Sequence, residues 1–133
     1  MRVMKLLSLT ILLGCCCAIS QAQPGRDWTV LGEAHVDGAV DHDRIVVTAA
    51  RGEYRAIRLR VENAGIEFDR VVVHFGNGTS TPIALRRRLR AGEETRVIDL
   101  PGERRVIENV EFWYARGNQR NPERPKVILF GRH

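Results

Sequence analysis

Sulfur is absent from most of this chain. Of the 133 residues three are Cys and two are Met, and all five lie within the first 17 positions. From residue 18 onward no disulfide can form and no thiol can act as a nucleophile. The remaining domain must therefore be held together by its hydrophobic core, which a chain of about 110 residues can build.

Serine and long apolar runs are scarce as well. After residue 22 the one serine is Ser80, and it lies in GNGTS rather than in the G-x-S-x-G turn of serine hydrolases. No window carries the i, i+3, i+4, i+7 spacing of an amphipathic helix. One apolar run alone approaches the length of a membrane span, so a polytopic membrane protein is excluded.

That run is Leu6–Ala18, and it follows a basic start. Ser20 and Ala22 then place small side chains at the two positions that a signal peptidase inspects. Residues 1–22 are therefore predicted to be a cleaved signal peptide, and residues 23–133 a single domain exported to the periplasm or beyond the cell.

A second route of export stays open. The segment Leu12-Leu13-Gly14-Cys15 is similar to the bacterial lipobox, in which the cysteine is lipidated and becomes the new N-terminus. In that case Cys15 would tether the domain to a membrane surface through a short segment.

The domain is basic by a small margin. Without the two basic residues of the N-terminal segment, the 21 basic residues become 19 against 16 acidic ones, so the net charge is about +3. Eighteen of the 19 are Arg, whose planar guanidinium binds carboxylate, sulfate or phosphate through paired hydrogen bonds. Such a small excess does not favour nucleic acid as a partner of an exported protein.

Short β-rich segments alternate with turn signals along the domain. The clearest alternation is EYRAIRLRV at 53–61, where apolar residues alternate with Arg58 and Arg60. The other strand-like segments are Trp28–Ala34, Arg44–Ala49, Ile66–Phe75, Pro82–Arg90, Thr95–Leu100, Arg105–Ala115 and Pro125–Phe130. About eight strands with turns between them predict an all-β fold, a single antiparallel β-sandwich of jelly-roll or Greek-key type.

Two of these strands are expected to be irregular. A bulge within Pro82–Arg90 would turn Arg87 outward, and Arg105–Ala115 is expected to bend near Glu108 and Asn109. The predicted core residues are Trp28, Ile57, Leu59, Val71, Val73, Phe75, Leu85, Ile98, Leu100, Val110, Phe112 and Leu129.

Five short motifs follow one another along the domain. They are LG at Leu31-Gly32, IRLRV at Ile57–Val61, VVVHFGNG at Val71–Gly78, AG-x-x-TRVIDLPG at Ala91–Gly102 and R-x-I-x-x-VEFWY at Arg105–Tyr114. Their order resembles a family of small exported bacterial proteins known only as a domain of unknown function. The resemblance covers most of the domain and implies a β-sandwich-like fold, with no activity and no catalytic residue to carry over.

Arginine is concentrated on two of the predicted strands. The run RRRLR places Arg86, Arg88 and Arg90 on one face of a strand, and Arg58 and Arg60 form a similar outward pair. If the two strands are neighbours, a stripe of guanidinium groups results, which would suit an anionic glycan, a lipid headgroup or an acidic protein. The competing interpretation is a charged sheet face neutralised by glutamates. The glutamates considered for this are Glu53, Glu62, Glu93 and Glu94.

Trp113 is predicted to lie on the outer face of its sheet, because Phe112 and Tyr114 point the other way. An exposed Trp beside Arg116 could stack on a sugar ring. The alternative is that the indole covers the sheet or packs under a loop.

The densest group of potential metal ligands is His35, Asp37, Asp41 and Asp43. Imidazole with carboxylate would suit zinc or another divalent ion, and carboxylates alone would suit calcium. The spacing matches no specific motif, so a solvated polar loop is the alternative, and no cofactor is expected.

These patterns predict an exported, envelope-associated binding or interaction module whose anionic ligand lies on an Arg-rich sheet face. Binding is favoured over catalysis, because no nucleophile is evident and nothing marks two of the carboxylates as a pair. Two alternatives stay open: a small hydrolase of cell-envelope carbohydrate, which would need two carboxylates in unlike environments, and a structural envelope protein without a soluble ligand.

Overall fold

The computed structural model of the chain describes residues 27–36, 42–47, 52–115 and 124–133. These ranges contain nine strands and no helix. The strands are β1 (Trp28–His35), β2 (His42–Val46), β3 (Ala56–Glu62), β4 (Ile66–Phe75), β5 (Ser80–Ile83), β6 (Arg87–Leu89), β7 (Ile98–Asp99), β8 (Ile107–Tyr114) and β9 (Lys126–Arg132). The predicted signal peptide, including Cys15, lies outside the described residues.

Two antiparallel sheets stack face to face. Sheet A has the order β1-β9-β3-β7, and sheet B has the order β2-β8-β4-β5, with β6 also paired with β4. Apart from the run β4, β5 and β6, each successive strand joins the other sheet. The fold is thus the all-β sandwich that the alternating pattern predicts, and residues distant in sequence meet across its core.

The ninth strand arises because the predicted strand Pro82–Arg90 is divided into β5 and β6. Between them Leu85 N donates a hydrogen bond to Ile83 O at 2.9 Å, which turns the chain. Pairing with β4 resumes at Arg87. In place of the expected bulge, the pairing with β4 is interrupted just before Arg87. This interruption leaves Leu85 buried and Arg87 exposed.

Apolar side chains of both sheets form one core, which contains eleven of the twelve residues predicted for it. The prediction for Trp28 is wrong, because Trp28 lies half-buried on the outer face of sheet A, opposite Arg132. Leu31 explains the difference, since it is an extra residue between Val30 and Gly32 in the pairing with β9. This bulge turns Leu31 fully inward and shifts the alternation before it, so that Trp28 and Val30 face out.

A second bulge determines which side chains of β4 face outward. Asp69 is an extra residue in the pairing of β4 with β8. Phe68 before it and Val71 after it are both fully buried, although a regular strand would send one of the two outward. The bulge therefore places Arg70 on the outer face of sheet B. A similar irregularity in β8 falls at Glu108, where the sequence predicts a bend.

Strands β1 and β2 belong to different sheets but approach each other closely along one side of the sandwich. A Cβ atom at Gly32 would lie 2.7 Å from Val46 O and 2.9 Å from Ile45 Cγ2. A side chain at this position would collide with the neighbouring backbone. Gly32 therefore allows these two edge strands to meet.

Replacing Gly32 by Ala should lower the free energy of unfolding by about 1–3 kcal/mol, because the new methyl group would press against a backbone carbonyl that cannot rotate away. Gly52→Ala is the matched control, since a Cβ there would meet no atom closer than 3.4 Å. We expect this control to change stability by less than about 0.5 kcal/mol. Urea denaturation measures both variants, and equal losses would contradict the close approach of β1 and β2.

Candidate functional site

Arg58 projects from β3 on the outer face of sheet A, where three neighbours hold it. Its Nη1 lies 3.1 Å from Glu94 Oε2. Its guanidinium also covers the rings of Trp28 and Phe130, at 4.4 and 5.4 Å from their centroids. With 15% of its side chain exposed, Arg58 is largely a part of the packed surface of this sheet.

The neighbouring cations of sheet A are paired as well. Arg60 Nε lies 3.5 Å from Glu62 Oε1, and Lys126 Nζ lies 3.1 Å from Glu33 Oε2. The interpretation of a charged face neutralised by glutamates therefore describes most of sheet A. Among the described residues Arg132 has no carboxylate partner, but its guanidinium lies 5.1 Å from the centroid of the Trp28 ring.

Arg86, Arg88 and Arg90 belong to the other sheet. β6 pairs with β4 in sheet B, whereas β3 lies in sheet A. The condition for a single stripe of guanidinium groups is therefore not met, because long-range pairing places the two strands in different sheets. All three side chains are exposed.

Trp113 lies on the outer face of sheet B, between two planar side chains. Strand pairing brings them there, because Trp113 is opposite His42 of β2 on one side and Arg70 of β4 on the other. The indole stacks on the His42 ring, with centroids 5.6 Å apart and an angle of 21° between the planes. The Arg70 guanidinium lies 4.8 Å from the indole centroid. Because neighbours from both strands cover the ring, Trp113 orients Arg70 rather than presenting a bare face to a sugar.

Arg70 is the residue that the sequence analysis missed. The signal was present, because the apolar residues in the first half of β4 are at 66 and 68, and those in its second half are at 71, 72, 73 and 75. Phe75, next to the polar His74, decides that the second half follows the odd positions. Such a change of phase is typical of a bulge, and it assigns Arg70 to the polar face.

Exposed arginines are concentrated on β4, on β6 and on the residues that flank β6. We call this group, together with Trp113, the sheet B arginine face. Its arginines are Arg70, Arg86, Arg88 and Arg90. Arg87 is also exposed, but it stands opposite the buried Phe68 and so points to the other side of the edge strand β6. In the described part of the chain no carboxylate forms an ion pair with any of these arginines, although Glu67 is opposite Arg88 in the strand pairing.

Glu111 neutralises the remainder of this outer face. Its Oε1 lies 3.1 Å from Arg44 Nη2 and 2.8 Å from His74 Nε2. Glu111 faces the same side as Trp113, as the alternation in β8 predicts. Among the described residues of the outer face of sheet B, the arginines without a carboxylate partner therefore belong to the arginine face. Arg116, which was expected beside Trp113, lies outside the described residues.

A family model described as a domain of unknown function, DUF2541, matches residues 6–131. The chain belongs to the DUF2541 family. The resemblance carried by the five motifs is thus confirmed as far as the family is concerned. A comparison with curated proteins gives no match. Within the described ranges of this DUF2541 protein, no helix has the length and hydropathy needed to cross a membrane.

The potential metal ligands of the DUF2541 domain do not converge where the structure describes them. His35 lies on sheet A, whereas Asp43 lies on β2 of sheet B, where its Oδ1 accepts a backbone hydrogen bond at 2.8 Å. Asp37 and Asp41 lie outside the described residues. No group of three His, Cys, Asp or Glu side chains within those residues is placed to hold an ion.

Replacing Arg58 by Ala should lower the free energy of unfolding by about 1–2 kcal/mol, because the variant loses both the stacking on two aromatic rings and a half-buried ion pair. Arg60→Ala is the matched control on the same strand. It should cost less than about 0.5 kcal/mol, because its ion pair is long and open to water. Thermal unfolding of both variants measures the difference, and a loss at Arg60 as large as that at Arg58 would contradict this account of sheet A.

Proposed function

We propose that this DUF2541 protein is an exported binding module that holds an anionic glycan on the sheet B arginine face. The contrast between the two outer faces carries the proposal. On sheet A, Arg58, Arg60 and Lys126 are paired with glutamates, and Arg132 is covered by its stacking on Trp28. The described arginines of the sheet B arginine face, in contrast, have no carboxylate partner. A guanidinium group without a carboxylate partner can bind a carboxylate or sulfate group of a ligand, because no internal ion pair has to be broken first.

The stacking of Arg70 on Trp113 supports binding at this position. The N–H groups of a guanidinium lie in its own plane, so they stay accessible when one face of the group lies against an indole. A carboxylate can then accept hydrogen bonds from two of these N–H groups. The stacking also restricts the side chain before the ligand arrives, which reduces the entropy lost on binding. Arg70 is therefore the anchor of the proposed site.

The shape of the face favours an extended ligand. The residues of the arginine face stand on neighbouring strands of an open sheet. A polymer with regularly spaced anionic groups can contact Arg70, Arg88 and Arg90 together, and such repeated contacts add up. This argues for a charged polysaccharide in preference to a small anion.

Binding to a polyuronate or a sulfated glycan should fall steeply when salt is raised from about 50 to about 500 mM, because exposed charges are screened. Arg70→Ala and Arg88→Ala should each weaken binding about five-fold, or about 1 kcal/mol. Arg96→Ala removes the same charge from an exposed position outside this face and should change affinity less than about two-fold. Biolayer interferometry with immobilised glycan, and with neutral dextran as the blank, measures these affinities.

Two outcomes of that measurement would contradict the proposal. One is the absence of binding to any anionic glycan, and the other is an equal loss for Arg88→Ala and Arg96→Ala. Vesicles containing an anionic lipid and a set of acidic peptides serve as parallel probes. Binding to either of these without binding to glycan would assign the face to a lipid headgroup or to a protein instead.

The export part of the proposal has its own test. The intact mass of the protein recovered from an exporting bacterial host should correspond to residues 23–133, because signal peptidase cleavage follows Ala22. A mass that begins at a lipidated Cys15 would also support export, by the second route. An unprocessed chain recovered from the cytosol would contradict both routes.

A further inference from the structure

A second basic region lies at the end of the sandwich where β3 and β8 begin. Two cavities open there, and Arg104 lines both. One, of about 390 Å³, has Phe75 and Val106 in its wall. The other, of about 640 Å³, has Arg55 and His133 in its wall, together with one acidic residue, Glu53. We call the two cavities together the Arg104 groove.

Arg105 fixes the shape of this groove without being available to a ligand. Its guanidinium lies 3.8 Å from the ring centroid of Phe75. It donates hydrogen bonds to Thr79 Oγ1 at 2.8 Å and to Pro101 O at 3.0 Å. Arg105 thus joins the loop after β4 to the turn after β7, and one wall of the groove is formed before any ligand binds.

The turn that presents Arg104 has an unusual backbone. Gly102 and Glu103 both have positive φ values, of 90° and 63°. A non-glycine residue in this region costs about 1 kcal/mol or more, and such residues are concentrated at functional sites. Arg104 N donates a hydrogen bond to Gly102 O at 2.7 Å, which closes the turn. This turn therefore determines the position of the Arg104 Cα atom at the edge of the groove.

The far wall is also held in place. The His133 ring lies 4.7 Å from the Tyr54 ring, centroid to centroid, and His133 Nδ1 is 3.0 Å from Glu53 O. Tyr54 is 1% exposed, and burial raises the pKa of its hydroxyl, so this side chain stays neutral at physiological pH. Tyr54 therefore adds no charge near the groove. The charged side chains that line this cavity are Arg55 and Arg104, opposed by Glu53.

We propose that the Arg104 groove binds a small ligand through an oxyanion, a phosphate or a carboxylate, placed between Arg55 and Arg104. Both guanidinium groups are exposed, and within the described part of the chain neither is paired with a carboxylate. The apolar part of the ligand lies against Val106, which is 50% exposed. This site is separate from the sheet B arginine face and takes a small molecule rather than a polymer.

The test is an NMR titration of the protein with inorganic phosphate and, separately, with phenylacetate. Phenylacetamide, which has the same ring without the charge, is the control ligand. We expect saturable shifts of the backbone amides at 52–55 and 104–106. Arg104→Ala and Arg55→Ala should each weaken binding about five-fold, whereas Arg96→Ala should change it by less than about two-fold.

The two titrations distinguish the two kinds of oxyanion. Saturation by phosphate alone would identify the ligand group as a phosphoryl group, and saturation by phenylacetate alone would identify it as a carboxylate carried by an apolar group. No saturation with either ligand, or an equal loss in Arg96→Ala, would overturn the proposal. Arg70→Ala should leave this titration unchanged, so a failure of the sheet B site and a failure of the groove can be told apart.

Discussion

The burial of Phe68 and Val71 in the same core is the constraint on which the outer surface of sheet B depends. Two residues three positions apart cannot both face inward in a regular strand, so β4 must contain an extra residue, and Asp69 is that residue. The same shift turns Arg70 outward, where strand pairing brings it against Trp113. The requirements of the core thus create the most distinctive feature of the surface.

The parts of the fold that depend on local alternation could be predicted from the sequence, and the parts that depend on strand neighbours could not. The predicted strand Ile66–Phe75 has the bounds of β4, because its apolar residues are numerous and its flanking turns are clear. The ion pair of Arg58 with Glu94 joins positions that no local pattern relates. The outward position of Trp28 depends on a bulge at Leu31 that the sequence pattern does not reveal. The outward position of Arg70, in contrast, could be predicted, because the apolar positions of β4 change from even to odd numbers around it.

The two proposed sites use arginine in different ways. On sheet B the guanidinium groups are spread along strands, so their contacts with a ligand are individually weak and depend on repetition. In the Arg104 groove the guanidinium groups line the walls of cavities, where a single oxyanion can meet two of them and lose part of its water. Sheet A, with its glutamates, shows the third use, in which arginine and aromatic rings cover a sheet and stabilise it. The sign of the charge is the same in all three places, and the neighbouring side chains decide its role.

The meeting of β1 and β2 at Gly32 has a consequence for how one molecule encounters another. A sheet ends in a row of unpaired N–H and C=O groups, which can capture a strand from a second molecule. Here one edge of each sheet lies against the other, so neither presents a long open row on that side. On the opposite side the described edge strands span only two to four residues, and Pro82 interrupts the donor pattern of β5. Self-association by edge pairing is therefore hindered on both sides of a domain that has no disulfide to hold it together.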